Sequence, residues 1–247
     1  MRFFGLIGYP LGHSFSKIFF TEKFEKENIP AQYELYPLET ISQFTTLVSS
    51  VDLTGLNVTI PYKEQVIPFL DELNETAAEI GAVNVIKFIR QGEKRLLRGY
   101  NTDAIGFENS IHPFLKSHHK NALILGTGGA SKAVDYTLRK LGISTTFVSR
   151  KSSAETLSYQ NLSPQIMTDN LLIVNCTPLG MDPNTDNCPD IPYDLLSPRH
   201  LLYDVIYKPE ETLFMKKGRE KGATTVNGLE MLYGQAKAAW KIWNETI

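Results

Sequence analysis

The chain has 247 residues, 42% of them hydrophobic and 21% charged, which suits one large domain or two modest ones. Lys and Arg number 25 against 27 Asp and Glu, for a formal net charge of −2, which excludes the basic footprint of a general nucleic-acid binder. A mean hydropathy of −0.18 with 11% aromatic residues excludes wholesale disorder and leaves enough large side chains for a core.

Along the first hundred residues, short apolar runs alternate with helical patterns. Arg2–Ile7 reads as a strand. Ser16–Glu27 reads as a helix, with Phe19, Phe20 and Phe24 at helical spacing. Gln32–Leu38 is a strand and Thr40–Ser50 a helix capped by Thr40. Leu53–Thr59 is the next strand, and Pro61 suits the first turn of a helix running towards Phe69. Glu75–Ile80 is a short helix stopped by Gly81; Val83–Phe88 and Arg95–Tyr100 flank a Gln91-Gly92 turn.

Asp103–Phe114 is helical, and the polar stretch Lys116–Lys120 reads as a junction between domains. Beyond it the βα pattern is cleaner. Asn121–Leu125 is a strand, a glycine-rich turn follows, and an amphipathic helix runs to Leu141 with Gly142 as its stop. Thr145–Val148, Leu171–Asn175, Leu201–Ile206 and Ala223–Val226 are further strands; Thr212–Lys221 and Leu229–Glu245 are helices. The Pro-, Asn- and Asp-rich loop from Pro178 to about Pro198 is long for a structureless connection. Alternation of this kind predicts an α/β protein of parallel sheets covered by helices.

Two cysteines, Cys176 and Cys188, do not make a disulfide scaffold or a zinc pair and are expected as unpaired thiols in a reducing cytoplasm. The N-terminal apolar run is too short for a signal peptide, and no stretch approaches the roughly 20 apolar residues of a membrane span. The expected location is cytoplasmic, with no membrane partner and no nucleic acid. No metal is expected: His118-His119 reads as a polar surface junction, and His13, inside a serine motif, shapes its loop.

Gly126-x-Gly128-Gly129-Ala130 lies between a predicted strand and a predicted helix, which is the context that gives a dinucleotide loop its weight. Gly126 permits a tight turn, and Gly128 lets the backbone approach a pyrophosphate, which the helix N-terminus favours. The third small position falls on Ser131 or Ala133. A glycine-rich turn without a ligand is the plain alternative. The next strand ends at Ser149-Arg150-Lys151, where an NAD enzyme usually carries an acid for the ribose 2′-OH. Two cations there suit the 2′-phosphate of NADP, the alternative being a solvated basic turn.

Further motifs are specific in combination. Gly8-Tyr9-Pro10-Leu11-Gly12-His13-Ser14-Phe15-Ser16, Asn57-Val58-Thr59-Ile60-Pro61-Tyr62-Lys63, Gly81-Ala82-Val83-Asn84 and Asn101-Thr102-Asp103-x-x-Gly106 stand in that order. Asn175-x-Thr177-x-x-Gly180-Met181, Asp204-Val205-Ile206-Tyr207-x-Pro209 and Asn227-Gly228-x-x-Met231-Leu232-x-x-Gln235 follow. Together they span nearly the whole chain and resemble the shikimate dehydrogenase family, whose members reduce 3-dehydroshikimate with NADPH on the route to chorismate and the aromatic amino acids. Lys17 stands where the family usually has Pro, Phe20 where His or Asn is common, and Ser149 where Asn usually precedes the Arg. The first two bear on substrate choice rather than on reaction class.

The resemblance implies two α/β domains with the active site in the cleft between them. Residues 1–103, rejoined by the C-terminal helix 229–247, would bind substrate; residues 104–228 would form a Rossmann-like NADP domain. Ser14 and Ser16 would hold the substrate carboxylate, with Tyr207 in reach, while Asn57, Thr59, Asn84 and Gln235 grip ring hydroxyls. Such groups both donate and accept; singly, each also has an ordinary reading as a cap or turn residue. Gly126, Gly128, Gly129, Ala130, Ser149, Arg150, Lys151, Thr177 and Gly228 would hold NADP.

Lys63 and Asp103 are the ionisable pair the resemblance places at the reacting ketone. A cationic Lys63 can stabilise the developing alkoxide and give it a proton, and Asp103 can hold the lysine and accept from a hydroxyl. Which of the two is the base in the oxidation direction stays open, and Asp103 is also a natural helix cap. A quinate/shikimate dehydrogenase of relaxed substrate or cofactor choice is the nearest alternative. A non-catalytic nucleotide sensor is the distant one, since fold alone does not fix function. A monomer or a homodimer is expected.

Overall fold

The computed structural model describes residues 1–12, 14–92 and 94–245; His13 lies outside them. The chain divides into two compact units, Met1–Thr102 with the chain from Ala236 onward, and Asp103–Gln235. None of the described helices is long and apolar enough to cross a membrane.

The first unit runs β1 (Arg2–Gly8), α1 (Phe15–Lys26), β2 (Ala31–Pro37), α2 (Gln43–Ser50), β3 (Leu53–Val58), α3 (Tyr62–Gln65), β4 (Glu72–Leu73), α4 (Glu75–Ile80), β5 (Val85–Gln91) and β6 (Lys94–Tyr100). Its six strands lie in the order β2-β1-β3-β5-β6-β4. β1 is parallel to β2 and β3, whereas β5 is antiparallel to both β3 and β6. The sheet is therefore mixed, not parallel throughout as alternation predicts. Gly92, at φ +64°, turns the chain straight back, so β5 and β6 form a hairpin where a βα crossover would have kept them parallel.

Local departures have local causes. α2 starts at Gln43, not Thr40, because the Thr40 hydroxyl pairs with Ser42 Oγ at 2.8 Å instead of capping the helix. α3 stops at Gln65, and Ile67–Phe69 forms a 3₁₀ turn; Pro68 has no N–H to continue an α-helix. The two-residue β4 was too short to show as a pattern. Alternation along β1 sends Ile7 into a cluster with Phe44, Leu56 and Val58, and sends Phe4 and Leu6 into another with Phe20, Phe24 and Trp243. A Cβ on Gly55 would collide with the Trp243 indole, whose Nε1 donates to the Ile86 carbonyl at 3.0 Å.

The second unit contains α5 (Asp103–Ile111), β7 (Asn121–Leu125), α6 (Gly129–Lys140), β8 (Ser144–Ser149), β9 (Thr156–Ser158), α7 (Pro164–Asp169), β10 (Leu172–Asn175), β11 (Leu201–Asp204), α8 (Leu213–Glu220), β12 (Thr224–Val226) and the start of α9 (Leu229–Asn244). The strand order is β12-β11-β10-β7-β8-β9, every neighbouring pair parallel. The order reverses at β7/β10, as in doubly wound nucleotide-binding sheets.

Lys116–Lys120 is not a boundary. It lies inside this unit, because α5 buries Phe107 and Ile111 in one cluster with Ala122, Val134 and Leu138. His119 is likewise not a surface residue: it is buried, its Nδ1 accepts the Lys116 N–H at 3.0 Å, and burial lowers its pKa. The long loop after β10 has an anchored core of its own, since Ile191 and Leu196 are buried with Leu202 and Phe214.

Candidate functional site

In the first unit, the sequence-flagged polar residues gather at the carboxyl ends of β1 and β3, where open α/β sheets bind ligands. Gly8 ends β1, and a Cβ there would run into the Thr59 methyl; only glycine lets the loop after β3 come so close. Ser14 caps α1, its Oγ accepting the Lys17 N–H at 3.3 Å. Ser16 lies in the first turn of the same helix. Capping therefore coexists with a hydroxyl proton that Ser14 can turn to a ligand.

Asn57 and Asn84 are 4% and 3% exposed and form one buried chain. Tyr33 Oη donates to Asn57 Oδ1 at 2.7 Å, and Asn57 Nδ2 reaches the Asn84 carbonyl at 3.4 Å. Asn84 Oδ1 accepts the Thr102 N–H at 2.7 Å, while its Nδ2 donates to Thr102 Oγ1 at 3.0 Å. Such bonds fix both amide planes before any ligand arrives. Lys63, half-buried in α3, is tied to the same place through its backbone: its carbonyl accepts the Val83 N–H at 2.7 Å.

In the second unit, the flagged residues share the carboxyl edge of the parallel sheet. Gly126 follows β7 at φ +105°, a conformation that favours glycine; a Cβ on it would lie 3.2 Å from the Thr177 methyl of the loop after β10. Gly128 precedes α6, and a Cβ there would meet nothing within 4 Å. The backbone at Gly128 is thus open to a large ligand, and the first-turn amides of a twelve-residue helix point the way an anion needs. Gly129 and Ala130 form that first turn, and Ser131 and Ala133 are fully buried behind it. This cradle fits a dinucleotide pyrophosphate.

Beyond β8, Ser149 Oγ donates to the Lys151 carbonyl at 2.7 Å, and both Arg150 and Lys151 are exposed. Two cations on a tight turn one strand from the glycine loop suit an extra phosphate rather than a bare ribose. Gly228 follows β12, where a Cβ would strike the Val205 carbonyl.

Asp103 opens α5 and is buried; an acid in the first turn suits the helix dipole. One turn on, a Cβ at Gly106 would strike the Met231 carbonyl and lie 2.9 Å from the Gln235 nitrogen. α9 therefore packs against α5 at Gly106, one turn along the helix from Asp103. Gln235 is buried, its Nε2 donating to the Leu232 carbonyl at 3.0 Å. Tyr207 is half-buried after β11, and desolvation raises its pKa.

Three contributors carry no role in the sequence reading. Tyr33 looks like any aromatic strand residue; only the register β1–β2–β3 brings it beside Asn57. Asp204 and Asn175 appear in motifs without a role. Asp204 accepts from Thr212 Oγ1 at 2.6 Å, from Asn175 Nδ2 at 3.1 Å and from the Ile206 N–H at 3.1 Å, while Asn175 Oδ1 accepts from Thr177 Oγ1 at 2.7 Å. That chain sets the loop holding Thr177. Burial pushes the Asp204 carboxyl up to about 6, with its hydrogen bonds opposing. Cys176 beside it is raised as well, by burial first and by Asp204 second, so the thiol is a poor nucleophile.

Residues 6–86 match the family described as the shikimate dehydrogenase substrate binding domain. The chain is 35% identical to a shikimate dehydrogenase (NADP(+)) of Methanosphaera stadtmanae, over 97% of this chain and 90% of that one. It is 38% identical to the protein of that name from Aquifex aeolicus, over 98% and 91%. The structure superposes at a TM-score of 0.85 on a Thermus thermophilus shikimate 5-dehydrogenase in complex with NADP(H) and shikimate, at 28% identity, covering 100% of this chain and 95% of that one.

Proposed function

The chain belongs to the family of NADP-dependent shikimate dehydrogenases, and we propose that in it Lys63 and Asp103 manage the proton while the buried amide chain of the first unit holds the ring. Its reaction is the reversible reduction of 3-dehydroshikimate to shikimate with NADPH, and its place is the cytoplasm. The observation that carries the residue-level reading is the placement of Ser14, Ser16, Asn57, Thr59 and Asn84 at one sheet edge, with Asn57 and Asn84 fixed in a hydrogen-bonded chain.

When bound, NADPH supplies the hydride. Gly126, Gly128, Gly129 and Ala130 would hold its pyrophosphate, Arg150 and Lys151 its 2′-phosphate with Ser149 shaping their turn, and Thr177 and Gly228 would complete the cofactor site. Ser14 and Ser16 donate hydroxyl protons to the substrate carboxylate, and Tyr207 adds a third donor. Asn57, Thr59, Asn84 and Gln235 bind the ring hydroxyls, which discriminates strongly because an analogue lacking one leaves a buried amide unpaired. Lys63 Nζ stabilises the oxygen that gains charge and gives it a proton; Asp103 orients the ammonium and accepts from the neighbouring hydroxyl.

The test follows nicotinamide absorbance in the oxidation direction, offering shikimate and quinate each with NADP and with NAD. Turnover confined to shikimate with NADP is the expected result. Comparable turnover with quinate would keep the chemistry and reassign the carboxylate end of the site. Silence in all four, from protein that still binds NADPH, would overturn the assignment.

A further inference from the structure

We propose that Tyr33 is a positioning residue of the substrate site, its hydroxyl fixing the direction in which the Asn57 amide meets the ligand. The inference rests on the reading above that Asn57 binds substrate, and it assigns a residue that touches neither substrate nor cofactor in that account.

Geometry determines which way each group must point. Tyr33 is buried on β2, with its ring stacked on Phe20 at a centroid distance of 4.9 Å and an interplanar angle of 13°. Its Oη lies 2.7 Å from Asn57 Oδ1. The Asn57 amide cannot be turned over, because its Nδ2 faces the Asn84 carbonyl at 3.4 Å, and a flipped oxygen would oppose another acceptor. Asn57 Oδ1 is therefore an acceptor, and the one proton of the Tyr33 hydroxyl goes to it.

One consequence follows. Tyr33 and the Asn84 carbonyl hold the Asn57 amide in one orientation, so that its second N–H is a donor placed in advance for a lone pair on the substrate hydroxyl. Phe20 helps by holding the phenol plane; a smaller or polar residue there would loosen it. The Phe20 departure noted in the sequence thus falls on the support of Tyr33.

The experiment compares wild-type protein, Tyr33→Phe, Asn57→Ala and the double variant by steady-state kinetics with shikimate and NADP. Tyr33→Phe keeps the ring and its stacking and removes only the hydroxyl. The expected result is a shikimate KM raised roughly five- to tenfold, the range of one lost neutral hydrogen bond, with the NADP KM unchanged and kcat less affected. In the Asn57→Ala background the same substitution should raise KM much less, because the group it acts through is gone.

A Tyr33→Phe KM within about twofold of wild type, or losses that simply add in the double variant, would overturn the proposal while leaving the activity intact. So would an equal rise in both KM values, which would mark the hydroxyl as a support of the fold. Wild-type protein without shikimate turnover would instead remove the underlying reading and the proposal with it.

Discussion

On the proposed function, the carboxyl edges of the two sheets solve different recognition problems. The first presents side chains that are buried and already bonded to one another: Tyr33, Asn57, Asn84 and Thr102. The second presents backbone and space, with an open Gly128, a helix N-terminus and two exposed cations at Arg150 and Lys151. A small polyol offers few contacts, so each must be directional and held in advance. A dinucleotide offers phosphates, which amides and mobile cations recognise without a fixed cage. Substitutions at the first edge should therefore alter substrate handling and packing together, whereas those at the second should separate cofactor binding from the fold.

The largest effect should come from a residue of the first edge that is not part of its buried chain. Lys63→Ala is expected to lower kcat by roughly 10²–10⁴, the range for a lost general acid, with much smaller changes in KM and in thermal unfolding. Kinetics in the oxidation direction check this, and a normal kcat would remove Lys63 from the chemistry.

Asp204 is a buried carboxyl at the second edge, and it makes stability depend on pH. Asp204 has a folded pKa of about 6 against an ordinary 3.8, so the folded state binds the proton more tightly than the unfolded chain does. Its contribution to stability is therefore best at low pH, and it is lost as pH rises through that window, by about 3 kcal/mol in all. Asp204→Asn keeps an acceptor for Asn175 and the Ile206 N–H and can donate to Thr212. Urea midpoints of wild type minus variant should thus move in favour of wild type as pH falls from neutral towards 4. A flat difference would mean that Asp204 titrates like a solvated carboxylate.

Arg150→Ala should sharpen the contrast most cleanly. In binding titrations the NADP Kd should rise roughly ten- to a hundredfold, the range of a charge-assisted bond, while the Kd for NAD, the KM for shikimate and the unfolding midpoint stay put. Equal losses with both nucleotides would place the 2′-phosphate elsewhere.

The two edges also differed in how much of them the sequence exposed. Gly126 and Gly128 sit in a strand–turn–helix context that a single chain displays, and the cations after β8 need only the count of residues between them. Lys63, Asp103 and the serines are read from the order and spacing of motifs, which carry a residue's identity but not its partners. Tyr33 was not found, because its role depends on strand register: β2, β1 and β3 must align before it reaches Asn57. Long elements were legible and short ones were not. β4, β9 and α7 have two, three and six residues, too few for a period to emerge. The polar stretch Lys116–Lys120 misled because surface composition marks a bend in the chain as readily as a boundary, while Phe107 and Ile111 decide which core α5 joins.

The smallest expected effect tests whether a departure from the family pattern at position 17 matters to the first edge. The Lys17 side chain ion-pairs with Glu34 at 2.7 Å, both partly exposed at 42% and 50%, a pair that contributes about 0–1 kcal/mol. Its backbone N–H has a second role, as the donor to Ser14 Oγ. Lys17→Ala removes the first interaction and keeps the second; Lys17→Pro removes both. Proline is tolerated in a first turn, where amides have no helical acceptor, so its added cost is the cap bond, about 1 kcal/mol. In the proposed site Ser14 gives its proton to the carboxylate and only a lone pair to Lys17, so kcat/KM for shikimate should not move in either variant. A shift of about tenfold in that value, about 1.4 kcal/mol, confined to the proline variant would show that the cap sets where Ser14 aims. A shift in both would show that the lysine side chain itself reads the substrate.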